Sequence, residues 1–196
     1  MEESIEKGLV LSAIAALKSV GGDTLVSILF GADDPFSPAN IERLPERIPL
    51  VEFLRLRDQA IDLLGQSFAG TALQAGREMV KHIPAEKTAF LEQLIRTSRH
   101  TLGDLGILGQ VALLASQGNP GTVRPSVDRE GLLLRLENCP ECRALRWGTP
   151  FCFINQGILT EFARRYLNLA VSTTETQCMA MGAPFCAIRI TPATTP

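Results

Sequence analysis

Apolar residues recur at helical spacing through the first hundred residues of the chain. Val10, Ile14 and Leu17 fall on one face of a helix, and two glycines at positions 21–22 end the pattern. Segments with this character cover residues 5–20, 50–65, 66–83 and 86–100, joined in part by a proline-rich connection at 33–49. The third segment is rich in small residues, which suits close packing against another helix or a partner chain. These patterns predict a layer of helices.

The pattern changes after residue 100. Two short apolar runs at 107–116 and 130–139 are separated by the turn-rich residues 117–126, which is typical of strands. Residues 151–169 return to helical spacing. Two β-branched or alternating segments, 170–181 and 185–192, then flank a Gly-Ala-Pro turn and predict a terminal hairpin.

This order of elements predicts an α+β fold: an N-terminal helical layer, then an antiparallel sheet with an inserted helix and a C-terminal hairpin. We expect a single domain over residues 1–192, mostly helical over 1–100 and made of strands plus one helix over 101–192. Residues 193–196 are expected to be a disordered tail.

Composition and charge exclude some functions. The formal net charge is −2, with no run of Lys or Arg, which gives no electrostatic footprint for nucleic acid. The acidic N-terminus does not look like a secretory signal, so we expect a cytoplasmic protein. Its five cysteines should then be reduced, either buried as thiols or bound to a metal.

The cysteines leave several interpretations open when they are taken alone. Cys139 and Cys142 could form a redox pair, an ordinary turn or part of a metal site. Cys178 could face the last cysteine, residue 186, across the terminal hairpin. Glu175 precedes Cys178 by three residues, and strict strand alternation would point it to the opposite face unless a bulge intervenes.

Three blocks near the C-terminus resemble the 4-vinyl reductase domain, a small-molecule-binding domain of the nitric-oxide-signalling and Golgi-transport fold. The blocks are "ENCPEC" at 137–142, "PFCFINQGIL" at 150–159 and "VSTTETQCMAMGAPFCAIRI" at 171–190. The family commonly has Asp in the Gly-x-Pro turn where this chain has Ala183, which leaves any hydrogen bond of that Asp without a counterpart.

The resemblance implies a metal site. In the phenol-sensing members of the family one zinc ion is held by a cysteine on the helix, a glutamate and two hairpin cysteines. These roles fall here on Cys152, Glu175, Cys178 and Cys186. The implied site is a closed tetrahedral zinc of structural type. The resemblance assigns nothing to Cys139 and Cys142.

The resemblance also implies a function. Stand-alone chains of this size are similar to proteins of (bacterio)chlorophyll biosynthesis, so we expect a tetrapyrrole or another hydrophobic small molecule as ligand. The expected role is that of an accessory protein in pigment biosynthesis or photosynthetic complex assembly, either free in the cytoplasm or peripheral to a photosynthetic membrane. The alternatives are a vinyl reductase of divinyl (bacterio)chlorophyllide and a pure protein-interaction module. The chain shows no nucleotide-binding fingerprint for a hydride donor, which favours the binding role over an enzyme.

Three residues are candidates for the ligand pocket. His100 could ligate a tetrapyrrole magnesium or bind a propionate, although a position near a helix C-terminus would explain it equally. Trp147 and Phe153 could form an aromatic wall or simply belong to the core. Partners are expected to include a second copy of the chain, through the N-terminal helices, or photosynthetic assembly proteins.

Overall fold

The computed structural model describes residues 3–83, 85–117 and 120–193. Five helices carry the N-terminal layer and the inserted helix: α1 Lys7–Leu29, α2 Leu50–Leu64, α3 Phe68–Lys81, α4 Ala85–Ser116 and α5 Phe153–Leu167. Six strands complete the described elements: β1 Ser4–Glu6, β2 Arg47–Pro49, β3 Thr122–Asp128, β4 Gly131–Glu137, β5 Val171–Gln177 and β6 Cys186–Pro192. Short 3₁₀ turns occur at Ile41–Arg43, Gly65–Ser67 and Met179–Met181. The predicted α+β architecture is confirmed.

The four C-terminal strands form one antiparallel sheet in the order β3-β4-β6-β5. Leu134 on β4 pairs with Ile188 on β6, and Leu132 pairs with Ile190. All four side chains are almost completely buried, because they share the face of the sheet that packs against α4 and α5. β5 and β6 form the predicted terminal hairpin, which places both hairpin cysteines beside the helical layer.

Helices α3 and α5 form the most intimate helix pair of the fold. Each helix contributes a glycine at the crossing, Gly76 on α3 and Gly157 on α5. A Cβ at Gly157 would lie 2.1 Å from the carbonyl oxygen of Leu73, and one at Gly76 would lie 2.2 Å from the carbonyl oxygen of Ile154. The small residues of the third segment therefore serve a helix contact within the chain.

Two long helices are broken by glycines. Gly22 in α1 has φ 70° and Gly103 in α4 has φ 64°, values that residues with a Cβ rarely adopt. The break in α1 lies where the two glycines were predicted to end the first helix, but a second helical section continues to Leu29.

One stretch is long and apolar enough to cross a membrane by length and composition alone. It comprises Val10–Leu29 of α1. The evidence for a span is weak, because Val10, Ile14 and Val26 on this stretch are buried in the core of the fold.

Two sequence predictions in the middle of the chain are wrong. Residues 107–116 are the end of α4 and not a strand, so the helical part reaches Ser116. Ile107, Leu108 and Val111 are buried at helical spacing, and a short apolar run cannot by itself distinguish a buried helix from a strand. The turn-rich residues 117–126 contain the start of β3, where Pro125 is accommodated because β3 is an edge strand.

The expected disordered tail at 193–196 lies almost wholly outside the described residues, which end at Ala193. The backbone N–H of Ala193 donates to the carbonyl oxygen of Ala170 (2.8 Å).

Candidate metal centre and adjoining cavity

Six buried side chains with metal-binding atoms meet between the sheet and the start of α5. Cys139 and Cys142 lie in the loop after β4, and Cys152 is the residue that precedes the first turn of α5. Glu175, Cys178 and Cys186 come from the terminal hairpin. We call these six residues the cysteine cluster. The most exposed of them, Glu175, retains only 8% of its accessible surface.

A β-bulge brings Glu175 to the same side as the hairpin cysteines. Glu175 pairs with Ile188 and Gln177 pairs with Ala187, so Thr176 is an additional residue in β5. Glu175 and Cys178 are buried, while Thr176 and Gln177 are exposed. The bulge that the sequence spacing required is present.

The carboxylate of Glu175 is held by the start of α5. Its Oε2 accepts hydrogen bonds from the backbone N–H groups of Phe151 and Cys152, each at 2.8 Å. Its Oε1 is buried and has no hydrogen-bond partner among the described residues. A buried carboxylate oxygen without a partner is costly, and a metal ion would satisfy it.

The sulfur atoms lie at distances that suit a shared tetrahedral metal ion. The Sγ–Sγ distances are 3.6 Å for Cys139–Cys152, 3.5 Å for Cys142–Cys152 and 3.7 Å for Cys142–Cys178. A zinc–sulfur bond of about 2.3 Å implies an edge of about 3.8 Å between two thiolates in a tetrahedron. All five thiols are free of disulfide bonds. The donor set therefore fits a thiolate-bound metal.

Two overlapping sets of four donors can each hold one ion, since the ligand atoms of each set lie within 4.8 Å of one another. The sets are Cys139, Cys142, Cys152 and Cys186, and Cys142, Glu175, Cys178 and Cys186. The four residues predicted from the family all belong to the cluster but are divided between the two sets, so their assignment as one set stays a prediction.

Sequence reasoning left Cys139 and Cys142 unassigned, although their Cys-x-x-Cys spacing is a metal-binding signal. The backbone N–H groups of Cys142 and Arg143 both donate to the carbonyl oxygen of Cys139 (3.2 and 3.0 Å), which closes a tight turn. This turn directs both thiols into the cluster.

Burial controls the protonation of the metal-free cluster. Removal from water raises the pKa of Glu175, and it raises the pKa of Cys178 to about 11, with Glu175 as the next cause. The backbone N–H of Met179 donates to Sγ of Cys186 at 3.3 Å. A metal ion must therefore displace protons to bind.

An apolar cavity of about 80 Å³ adjoins the cluster, enclosed by α1, α2, α3 and the start of α5. Its walls are almost entirely hydrocarbon, and its few polar side chains include Arg57 and Glu141. Phe151 connects the cavity to the cluster, because its ring lines the cavity while its backbone N–H donates to Glu175.

Glu141 and Arg57 form a polar floor between the cavity and the cysteine loop. The carboxylate of Glu141 accepts from the backbone N–H groups of Ile154 and Asn155 at the start of α5 (3.0 and 2.8 Å). Burial raises the pKa of Glu141 to about 8, against the opposing effect of these hydrogen bonds. Arg57 Nη1 donates to the carbonyl oxygens of Glu141 and Arg143 (3.1 and 2.7 Å), which ties α2 to the loop.

The three predicted pocket residues lie in different places. The rings of Trp147 and Phe153 pack against Phe151, with centroid distances of 5.5 and 5.6 Å, and so stand behind the cavity wall. His100 is exposed on α4 and borders a separate surface depression with Arg165 and Tyr166. Their assignment to a ligand pocket stays a prediction.

Similarity to solved structures defines the class of fold. An H-NOX protein from S. oneidensis in the Fe(II) ligation state superimposes with a TM-score of 0.67 and 13% identity, covering 98% of each chain. The phenol-responsive sensory domain of the transcription activator PoxR, solved with phenol, gives a TM-score of 0.55 and 20% identity over 74% of this chain and 77% of that domain. The architecture is therefore that of the nitric-oxide-signalling and Golgi-transport fold.

Sequence comparison specifies the family further. Residues 132–192 match the family model of the 4-vinyl reductase domain, so the resemblance to that family is confirmed over β4, the cysteine loop, α5 and the hairpin. An uncharacterized protein of Methanocaldococcus jannaschii is 30% identical over 74 residues, which cover 38% of this chain and 40% of that relative.

Proposed function

We propose that this domain binds a small hydrophobic molecule in the cavity between α1, α2, α3 and α5. The observation that carries the proposal is an enclosed, almost wholly apolar space with Arg57 and Glu141 at one place on its wall. A hydrocarbon pocket with few polar groups is the usual form of a small-molecule site. The PoxR sensory domain, which shares the fold, was solved with phenol, and this supports the same class of ligand.

The size of the cavity favours a ligand of about one ring. A cavity of about 150 Å³ lined by apolar side chains is known to take benzene, and this cavity is about half that volume. A single ring therefore requires a small outward movement of the walls. α2 is the helix that would move, because it packs loosely against α1 and α3 while α3 and α5 are in close contact.

Zinc is the metal that we propose for the cysteine cluster, with Cys152, Glu175, Cys178 and Cys186 among its ligands. Four-coordinate zinc in a thiolate-rich, buried site is structural, because no coordination position stays open for a substrate. The metal would fasten the start of α5 to the terminal hairpin. Since Phe151 and Glu141 touch both cavity and cluster, the metal would fix the shape of the cavity wall.

A tetrapyrrole is the second candidate ligand, as expected for an accessory protein of pigment biosynthesis. The support is that another structural neighbour, studied for heme redox potential and porphyrin distortion, covers 98% of this chain with a TM-score of 0.59. A porphyrin would require α1 and α2 to separate widely from α3 and α5. Vinyl reductase activity, photosynthetic partners, homodimerisation and a cytoplasmic location stay predictions.

The proposal is tested by calorimetric titration with phenol, other single-ring compounds and a porphyrin. We expect saturable one-to-one binding of at least one single-ring compound. Ala72→Leu, which adds three carbon atoms to the cavity wall, should reduce its affinity at least tenfold. Ala89→Leu on the exposed face of α4 makes the same change away from the cavity and should leave the affinity unchanged. Equal affinity in both variants would remove the ligand from this cavity.

A further inference from the structure

The cysteine cluster contains more donors than one metal ion can use. Its two sets of four share Cys142 and Cys186, and together they include all five cysteines and Glu175. A single tetrahedral ion would leave two of these six buried donors without a metal.

We propose that the cluster holds two divalent metal ions bridged by the thiolates of Cys142 and Cys186. Cys139 and Cys152 complete the coordination of the first ion, and Glu175 and Cys178 complete that of the second. Each ion then has two bridging and two terminal ligands. The proposal goes beyond the single closed zinc expected from the family and does not depend on the ligand of the cavity.

The distances place Cys142 in a bridging position. Its Sγ lies 3.5 Å from Sγ of Cys152, a terminal donor of the first set. The same atom lies 3.7 Å from Sγ of Cys178, a terminal donor of the second set. Both separations are close to the tetrahedral edge of about 3.8 Å expected for thiolates on one zinc ion. A sulfur that shares one edge with each set is located where a bridging thiolate must be.

The terminal positions are also completed by the described residues. Sγ of Cys139 and Sγ of Cys152, the terminal pair of the first ion, are 3.6 Å apart. In the second set, Oε1 of Glu175 is buried and without a hydrogen-bond partner among the residues described, while its Oε2 is occupied by two backbone N–H groups. One carboxylate oxygen therefore stays available for the second ion.

Charge favours two ions over one when all six donors are ionised. Five thiolates and one carboxylate carry six negative charges, so a single divalent ion would leave a charge of −4 in a buried site. Two divalent ions reduce this charge to −2. Cys139, Cys152 and Cys186 have no measurable solvent exposure, so water cannot offset the remainder. Thiolate-rich donors select zinc or the related cadmium ion over hard ions such as Mg²⁺.

The experiment is reconstitution of the whole chain with zinc or with ¹¹³Cd under reducing conditions. Native mass spectrometry should give two metal ions per chain. ¹¹³Cd NMR should show two resonances that are scalar-coupled to each other, because a shared thiolate transmits the coupling. One metal ion per chain, two uncoupled resonances, or acid-labile sulfide from an iron–sulfur cluster would each overturn the proposal.

Variants test which residue holds which ion. Cys139→Ser removes a terminal ligand of the first ion and leaves the second set complete, so we expect one tightly bound ion. Glu141→Gln alters a buried carboxylate of the same loop that belongs to neither set, and it should retain two ions. Two ions in Cys139→Ser, or one in Glu141→Gln, would contradict the assignment. The wild-type stoichiometry and coupling decide the proposal even where a variant does not fold.

Discussion

The crossing of α3 and α5 provides a sharp test of the packing that supports both cavity and cluster. In Gly157→Ala the new Cβ would lie 2.1 Å from the carbonyl oxygen of Leu73 and 3.1 Å from Cα of Gly76. Ordinary van der Waals contact begins near 3.4 Å. The two backbones must therefore separate by about 1 Å, because an obstructing backbone carbonyl cannot rotate away as a side chain can.

The magnitude follows from two opposing effects. Overpacking in a well-packed core costs about 1–3 kcal/mol, and a backbone obstacle places this case at the upper end. The change from Gly to Ala in a helix interior returns about 1 kcal/mol through helix propensity. We expect a net loss of about 2 kcal/mol in the free energy of unfolding. In a chain of this length that corresponds to a decrease of about 4–8 °C in Tm.

The assay is equilibrium urea unfolding of the metal-loaded protein, with Gly70→Ala as the matched control. Gly70 lies in α3, and a Cβ at this position would meet nothing within 4 Å. The control should gain about 0.5–1 kcal/mol from the same chemical change. Equal stabilisation of Gly157→Ala and Gly70→Ala would refute the close crossing.

Three further predictions concern the cluster and its connection to α2. Glu175→Gln should lower both the zinc affinity, measured by competition with a chelator, and the Tm, because the neutral amide is a poorer metal ligand. Since burial raises the pKa of Glu175 and of Cys178, zinc binding displaces protons, and its Kd should fall at least tenfold per pH unit between pH 6 and 8; a pH-independent Kd would contradict this protonation state. Arg57→Met leaves two carbonyl groups of the loop 141–143 without their donor and should cost about 1–3 kcal/mol in urea unfolding, whereas Asp58→Asn, which weakens only the exposed side of the same ion pair, should change stability by less than about 1 kcal/mol.

The sequence was sufficient where one local period dominates an element. α2, α3 and α5 each carry a clear helical stripe between recognisable ends, and β5 and β6 flank a turn with Gly182 at φ 98°. The period failed at 107–116, where a buried helix end and a buried strand have the same composition.

The candidate site could be predicted only in part, because it is assembled from distant segments. The spacing of Glu175 and Cys178 required a bulge, and the hairpin contains one at Thr176. The entry of Cys139 and Cys142 into the cluster depends on the path of the loop after β4, which no local pattern specifies. The cavity depends on how α1, α2, α3 and α5 pack, and the sequence alone did not reveal that Gly157 is the partner surface for the small residues of α3.

The central claim is that an apolar cavity beside the cysteine cluster receives a small hydrophobic molecule. Its most direct test is calorimetric titration of the zinc-loaded protein with the panel of single-ring compounds and a porphyrin, carried out on wild type, Ala72→Leu and Ala89→Leu. We predict one-to-one binding of a single-ring compound that Ala72→Leu weakens at least tenfold and Ala89→Leu does not. Failure of every single-ring compound to bind, together with tight porphyrin binding and a shifted Soret band that Ala72→Leu leaves intact, would contradict it.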